Sequence, residues 1–174
     1  MKKLVCVICM LICLAIASQA QDGGSYKNAI GGRFSTGYWD AISASYKTFL
    51  NAQGAIELNL GFRPYTGNRD WVNVSFSAAY QHHFPIGKIE GFRWFIGGGI
   101  SAFNSFSSNS DYAGFGLGIF PTGGVDYKFP EIPLNVSADL RPTLLLVDPL
   151  EGVYKDYYQQ FYFGNLGFSV RYTF

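Results

Sequence analysis

The chain has 174 residues, of which 48% are hydrophobic and 18% aromatic, and only 14% are charged, against about 25% charged in ordinary soluble domains. A formal net charge of +1 gives no electrostatic footprint for nucleic acid, so no nucleic-acid partner is expected. One domain is expected from the length.

The first element is a processing segment. "MKKLVCVICMLICLAIASQA" carries Lys2 and Lys3, an apolar run from Leu4 to Ala17, and small residues at Ser18 and Ala20. This is the pattern of a secretory signal peptide over residues 1–20, cut near Ala20/Gln21. The apolar run is shorter than the roughly 20 residues a membrane helix needs. Cys6, Cys9 and Cys13 all lie in it, so the mature domain, residues 21–174, is expected to hold no disulfide, thiolate metal site or cysteine nucleophile. Losing Lys2 and Lys3 leaves eleven basic residues against twelve acidic.

From there the recurring signal is a period of two, the signature of strands. "NAIGGRF" and "AISASYK" are short cases, with Arg33 and Lys47 on the polar side. "AIELNLGFR" sets Ile56, Leu58, Leu60 and Phe62 against Glu57, Asn59, Gly61 and Arg63. "VNVSFSAAYQ" sets Val72, Val74, Phe76, Ala78 and Tyr80 against Asn73, Ser75, Ser77, Ala79 and Gln81. "FRWFIGGGISAF" is weakest, because both faces carry bulk and three glycines blur the phase. "GFGLGIFPTGGVDYK" puts Asp126 and Lys128 on its glycine-rich face, and "PLNVSADLRPTLLL" puts Asp139 and Arg141 opposite its leucines. In "FGNLGFSVRYTF", Leu166, Phe168, Val170, Tyr172 and Phe174 alternate with Gly167, Ser169, Arg171 and Thr173. Eight strands result, with strand ends or bulges expected at Pro121 and Pro142 because proline removes a ladder donor.

The polar faces do not read as a soluble exterior. They are Gly, Ser, Asn and Thr with sparse charges, which suits the narrow bore of an eight-stranded barrel filled by its own side chains. Arg33, Lys47, Glu57, Arg63, Asp126, Lys128, Asp139, Arg141 and Arg171 are then expected inside as a structural network of paired charges. Aromatics mark the strand ends. Tyr26, Tyr46, Tyr80, Phe84, Trp94, Tyr127, Phe129, Tyr172 and Phe174 lie toward the short turns. Trp39, Phe62, Tyr65, Trp71, Phe115 and Tyr162 lie toward the longer loops. Two aromatic bands around an aliphatic belt suit the two bilayer interfaces, with Trp39, Trp71, Tyr80, Trp94, Tyr127 and Tyr162 as interface residues.

The closing "GFSVRYTF" resembles the C-terminal strand of bacterial outer-membrane β-barrels, with Phe174 last and Tyr172 two places before it. The chain as a whole resembles the small eight-stranded barrels of the OmpA/OmpX type, the outer-membrane β-barrel domain family. The resemblance implies an all-β, closed, antiparallel, up-and-down transmembrane barrel in the outer membrane, with both termini in the periplasm. It also implies that Tyr172 and Phe174 form an assembly signal. The implied partners are outer-membrane lipid and, during biogenesis, the barrel-assembly machinery and periplasmic chaperones. A structural or adhesive role is expected, with loops 64–70, 104–112 and 148–159 presented outside. A narrow pore is the alternative. A soluble periplasmic carrier is a further one, with the apolar faces turned inward around a lipophilic ligand.

Catalytic signals are weak. His82 and His83 are adjacent, so within a strand they point to opposite faces and do not share a metal, which leaves a site at a turn as the alternative. No histidine lies near the loop side, where a lipid-acting barrel enzyme would need one. "GFGLGIFPTGG" fails the spacing of a dinucleotide loop and no helix follows it. Glu57, Asp126 and Asp139 read as partners for arginines rather than as an acid–base pair. No enzymatic activity, metal or cofactor is expected.

Overall fold

The computed structural model describes residues 26–65, 71–87, 89–108, 113–148 and 161–174. The signal peptide expected at 1–20 and the "VYKDYYQQ" segment lie outside the described residues, as does much of the expected loops. Ten β segments follow in chain order: β1 (Asn28–Ser35), β2 (Ile42–Phe49), β3 (Gly54–Tyr65), β4 (Trp71–Pro85), β5 (Phe92–Ser107), β6 (Gly114–Lys128), β7 (Leu134–Leu140), β8 (Thr143–Val147), β9 (Phe161–Tyr162) and β10 (Leu166–Thr173). Each segment pairs antiparallel with its neighbours, and β7 with β8, like β9 with β10, makes one interrupted strand of the wall. The last strand pairs with the first, from Ala29 opposite Thr173 to Ser35 opposite Gly167, and closes the barrel. The result is the closed eight-stranded meander expected from the alternation, with no sheet edge left along the seam.

Alternation sets what each face meets. Ile30, Leu60, Phe76, Ile100, Leu166 and Phe168 are 49–60% exposed on the outside. Their neighbours Arg33, Lys47, Glu57, Asp126, Arg141 and Arg171 are at most 1% exposed. A soluble protein rarely shows an apolar patch larger than a few hundred Å², and here the apolar surface runs around the wall. The lumen is polar, not the apolar cavity a lipophilic-ligand carrier requires.

The prolines are resolved differently from one another. Pro142 interrupts its strand between β7 and β8, whereas Pro121 sits inside the continuous β6. With Ile119 opposite Leu144 and Gly123 opposite Leu140, Pro121 and Pro142 fall opposite each other. Both missing N–H groups therefore belong to one rung, and the loss of ladder bonds is confined there.

Two strands are longer than the alternation indicates. β5 runs on through Asn104–Ser107, and β3 through Pro64 and Tyr65, so the loops begin later than expected. The inward Ser105 hydroxyl donates to Asn73 Oδ1 at 2.6 Å, which ties β5 to β4 above the point where the apolar pattern fades.

The glycines of β5 and β6 answer the inward aromatic rings. Phe95 lies opposite Gly124, Phe120 opposite Gly99 and Phe103 opposite Gly116. A Cβ at Gly99 would sit 2.7 Å from the Phe120 ring, and one at Gly124 would sit 2.9 Å from the Phe95 ring. Each ring thus lies over the bare backbone of the facing strand, which is how a narrow bore holds three phenylalanines. Gly99→Val is expected to destabilise the barrel by about 1–3 kcal/mol through overpacking. Gly123→Val is expected to be tolerated, because a Cβ there meets only the Phe95 carbonyl at 3.8 Å. Thermal unfolding of both variants in detergent checks the contrast.

Candidate functional site

The middle of the lumen is a ladder of ion pairs. Glu57, inward on β3, stands at its centre. One carboxylate oxygen lies 2.5 Å from Arg141 Nη2, and the other lies 2.9 Å from Arg171 Nη2 and 3.6 Å from Lys47 Nζ. Asn59 and Gln81 donate side-chain amides to the same carboxylate at 3.1 and 2.9 Å. Lys47 also reaches Asp126 at 3.0 Å, where Asn135 donates at 3.0 Å. Arg141 bridges from Glu57 to Asp139 at 2.7 Å, and Arg33 bridges from Asp139 at 2.8 Å to Asp40 at 3.1 Å. Four carboxylates thus meet four cations, all within side chains at most 5% exposed. A charge taken out of water is tolerated when it is paired and hydrogen-bonded, and each of these is.

Seven of the nine charged residues singled out in the sequence meet in this ladder. Arg63 and Lys128 do not, because they lie at the two ends, where backbone carbonyls are in reach. The Arg63 guanidinium donates to the Gly37 carbonyl at 2.5 Å and lies over the Tyr65 ring. The Lys128 ammonium donates to the carbonyls of Phe129 at 2.5 Å and Ile132 at 3.0 Å, holding the turn after β6. Asp40 is the member the sequence hid. It stands in the connection between β1 and β2, where no alternation tells inside from outside.

That connection folds into the mouth of the barrel. Trp39 is 2% exposed and stacks on Phe103 at 5.6 Å between centroids, with Tyr162 edge-on at 6.0 Å and Leu145 in the same cluster. Trp39 is therefore a lumen residue and not the interface aromatic expected from its place near a strand end. A tryptophan in a turn follows the path of its backbone, and here Asp40 pulls that path inward onto Arg33. Tyr162 is likewise drawn toward this cluster, its hydroxyl donating to the Thr36 carbonyl at 2.9 Å. Three donors pin the connection from the neighbouring strands β3 and β4. They are Arg63 on the Gly37 carbonyl, and Tyr65 and Asn73 on the Tyr38 carbonyl at 2.7 and 3.1 Å.

The end that carries both termini is lined by rings. Tyr26 packs edge-on against Phe49 at 5.0 Å, Phe49 against His83 at 4.9 Å, and His83 against Phe95 at 5.0 Å. Tyr26 also donates its hydroxyl to Asp126 at 3.3 Å, so this ring cluster joins the ladder. Like Trp39, Tyr26 turns inward, at 6% exposed. His82 faces outward beside Tyr80, 3.3 Å from its hydroxyl. The two histidines thus take opposite faces, and no group of three metal-ligating side chains converges among the described residues.

On the outside, Tyr80 and Trp94 are 46% and 43% exposed. Trp94 stacks on Phe84 at 4.4 Å. Tyr127 packs edge-on with Phe129 at 4.7 Å, and Tyr172 stacks on Phe174 at 6.4 Å. These rings lie toward the terminal end. Toward the loop end, Trp71 stacks on Tyr65 at 4.4 Å, but the two share the inward face of β4 and β3 with Asn73 and Arg63, so Trp71 is a residue of the mouth and not the interface aromatic expected from its place at a strand end.

No protein-family model matches the sequence, and a search of curated proteins gives no match. Among solved structures, the chain is similar to the crystal structure of the N-terminal β-barrel domain of Pseudomonas aeruginosa OprF. The TM-score is 0.52 at 19% identity, over 90% of this chain and 100% of that domain. At that identity the likeness is one of fold: this is a β-barrel of the outer-membrane type.

Proposed function

We propose that the mature chain, residues 21–174 after cleavage near Ala20/Gln21, is an integral outer-membrane protein with both termini in the periplasm. Its role is structural or adhesive, and its long loops are the surface offered to partners. The observation that carries this reading is the inversion of the faces. Leu60 and Phe168 are 60% and 50% exposed, whereas Lys47 and Glu57 are 0% exposed. Only a lipid exterior makes both sets comfortable. Ring clusters at both ends and a ladder whose charges are matched between them support a filled, non-conducting lumen. Carboxylates already engaged by cations support a non-catalytic one.

Trp94 provides the test. In a variant with phenylalanine at Trp39 and Trp71, reconstituted in phosphatidylcholine vesicles, bromine-labelled acyl chains are expected to quench Trp94 fluorescence strongly. Fluorescence unchanged by the label would overturn the membrane placement.

Tyr172 and Phe174 take the part of assembly signal in this reading, and the assembly machinery and its chaperones are the partners during biogenesis. Deleting Phe174 is expected to cut the amount of folded barrel in the membrane fraction severalfold while leaving synthesis unchanged. Immunoblots of folded and total protein check this, and equal folded amounts would count against the signal.

A further inference from the structure

The outer wall over β1–β4 is not smooth. A groove of about 200 Å³ opens there, with side walls from Ile30, Tyr46, Leu58, Leu60 and Phe76 and with Ala44 at its floor. The register explains the dent. Ala44 lies between Gly32 on β1 and Leu60 on β3, so two small outward residues stand side by side among bulky ones. One rung nearer the terminal end lies an outward polar cluster. Asn28 Oδ1 accepts from the Thr48 hydroxyl at 2.9 Å and from the Tyr46 hydroxyl at 3.0 Å. Tyr46 belongs to both features, its ring forming a wall of the groove and its hydroxyl joining the cluster. With its oxygen accepting from both hydroxyls, the hydrogen-bonding capacity left on the Asn28 side chain is that of its amide N–H donors.

We propose that this is a binding site for one phospholipid of the leaflet nearer the termini. An acyl chain lies in the groove, and the ester or phosphate oxygens accept from Asn28. The proposal rests on the membrane reading above. The amphiphilic order of the site carries it, because a polar end sits at the terminal side and an apolar trough runs toward the middle of the belt. The cluster holds no charged side chain, so it recognises the lipid by hydrogen bonds to oxygens common to phospholipids rather than by headgroup charge. A second copy of the chain fits less well. Across a twofold axis a patch meets itself, and two concave troughs face to face leave a void.

The test uses the full mature barrel in phosphatidylethanolamine/phosphatidylglycerol vesicles containing a small fraction of phospholipid with a photoreactive group on one acyl chain. After illumination, crosslinked peptides are mapped by mass spectrometry. Labelling is expected to concentrate on β1–β4 in the wild type and to fall there by about tenfold in Ala44→Trp, which fills the trough. Ala44→Leu, a smaller filling, serves if tryptophan prevents insertion. Labelling spread evenly around the wall, or unchanged by either substitution, would overturn the site. So would a crosslinked dimer through these strands. A wild-type barrel that fails to insert would instead overturn the membrane reading, and this site with it.

Discussion

Glu57→Ala is expected to destabilise the folded barrel more than any other single change in the ladder. The substitution leaves Arg141, Arg171 and Lys47 around an empty position, with only Asp139 and Asp126 to share. Removing one partner of a buried pair costs about 3–5 kcal/mol, because the other charge remains buried, and here three cations lose a counterion. In a chain of this size that corresponds to a fall of about 10 °C in the unfolding midpoint, read from thermal unfolding in detergent. Glu57→Ala combined with Arg171→Ala is expected to recover part of the loss, since one uncompensated charge leaves with its partner. A single variant with an unchanged midpoint would mean that the three cations do not depend on this carboxylate.

The second large effect is expected at Trp39. Truncation to alanine removes the ring that fills the mouth against Phe103, Tyr162 and Leu145. A buried tryptophan cut to alanine typically costs about 3–5 kcal/mol. Trp39→Phe keeps an aromatic surface on Phe103 and is expected to lose much less. Two readouts separate packing from a mere surface role. The unfolding midpoint falls in Trp39→Ala, and limited proteolysis begins to cut the connection 36–41, which is then left to polar contacts: the Arg63, Tyr65 and Asn73 donors, the Asp40–Arg33 pair and the Tyr162 bond to Thr36. Resistance equal to wild type would show that these polar contacts fix the connection without the ring.

The two changes also mark what the sequence makes legible. Glu57 stands inside an unbroken alternation with Ile56, Leu58 and Leu60, so its face follows from parity alone, as do those of Lys47, Asp126, Asp139, Arg141 and Arg171. The strand pattern and its closure follow from the same rule. Trp39 and Asp40 stand in a connection, where side-chain direction depends on the backbone path, and the partners of Trp39 are distant in sequence. Asp40 meets Arg33, only seven residues before it, because the connection folds back into the mouth, and no alternation announces that path. Tyr26 escapes for the same reason, being placed just before β1 begins. The bulk on both faces of "FRWFIGGGISAF" blurs its phase because the explanation lies on another strand. Phe95 and Phe103 are admitted inside by Gly124 and Gly116 of β6, and pairing register is tertiary information. Pro121 is tolerated mid-strand because Pro142 lies opposite it, which likewise cannot be read from either segment alone.

The central claim is a closed barrel with lipid outside and charges inside. The measurement that bears on it most directly is gel mobility of the protein from a washed outer-membrane fraction, loaded in mild SDS with and without boiling. A closed barrel of this kind is expected in that fraction and is expected to migrate at a different position once heated. Recovery in the soluble periplasm, with one mobility before and after heating, would contradict the account.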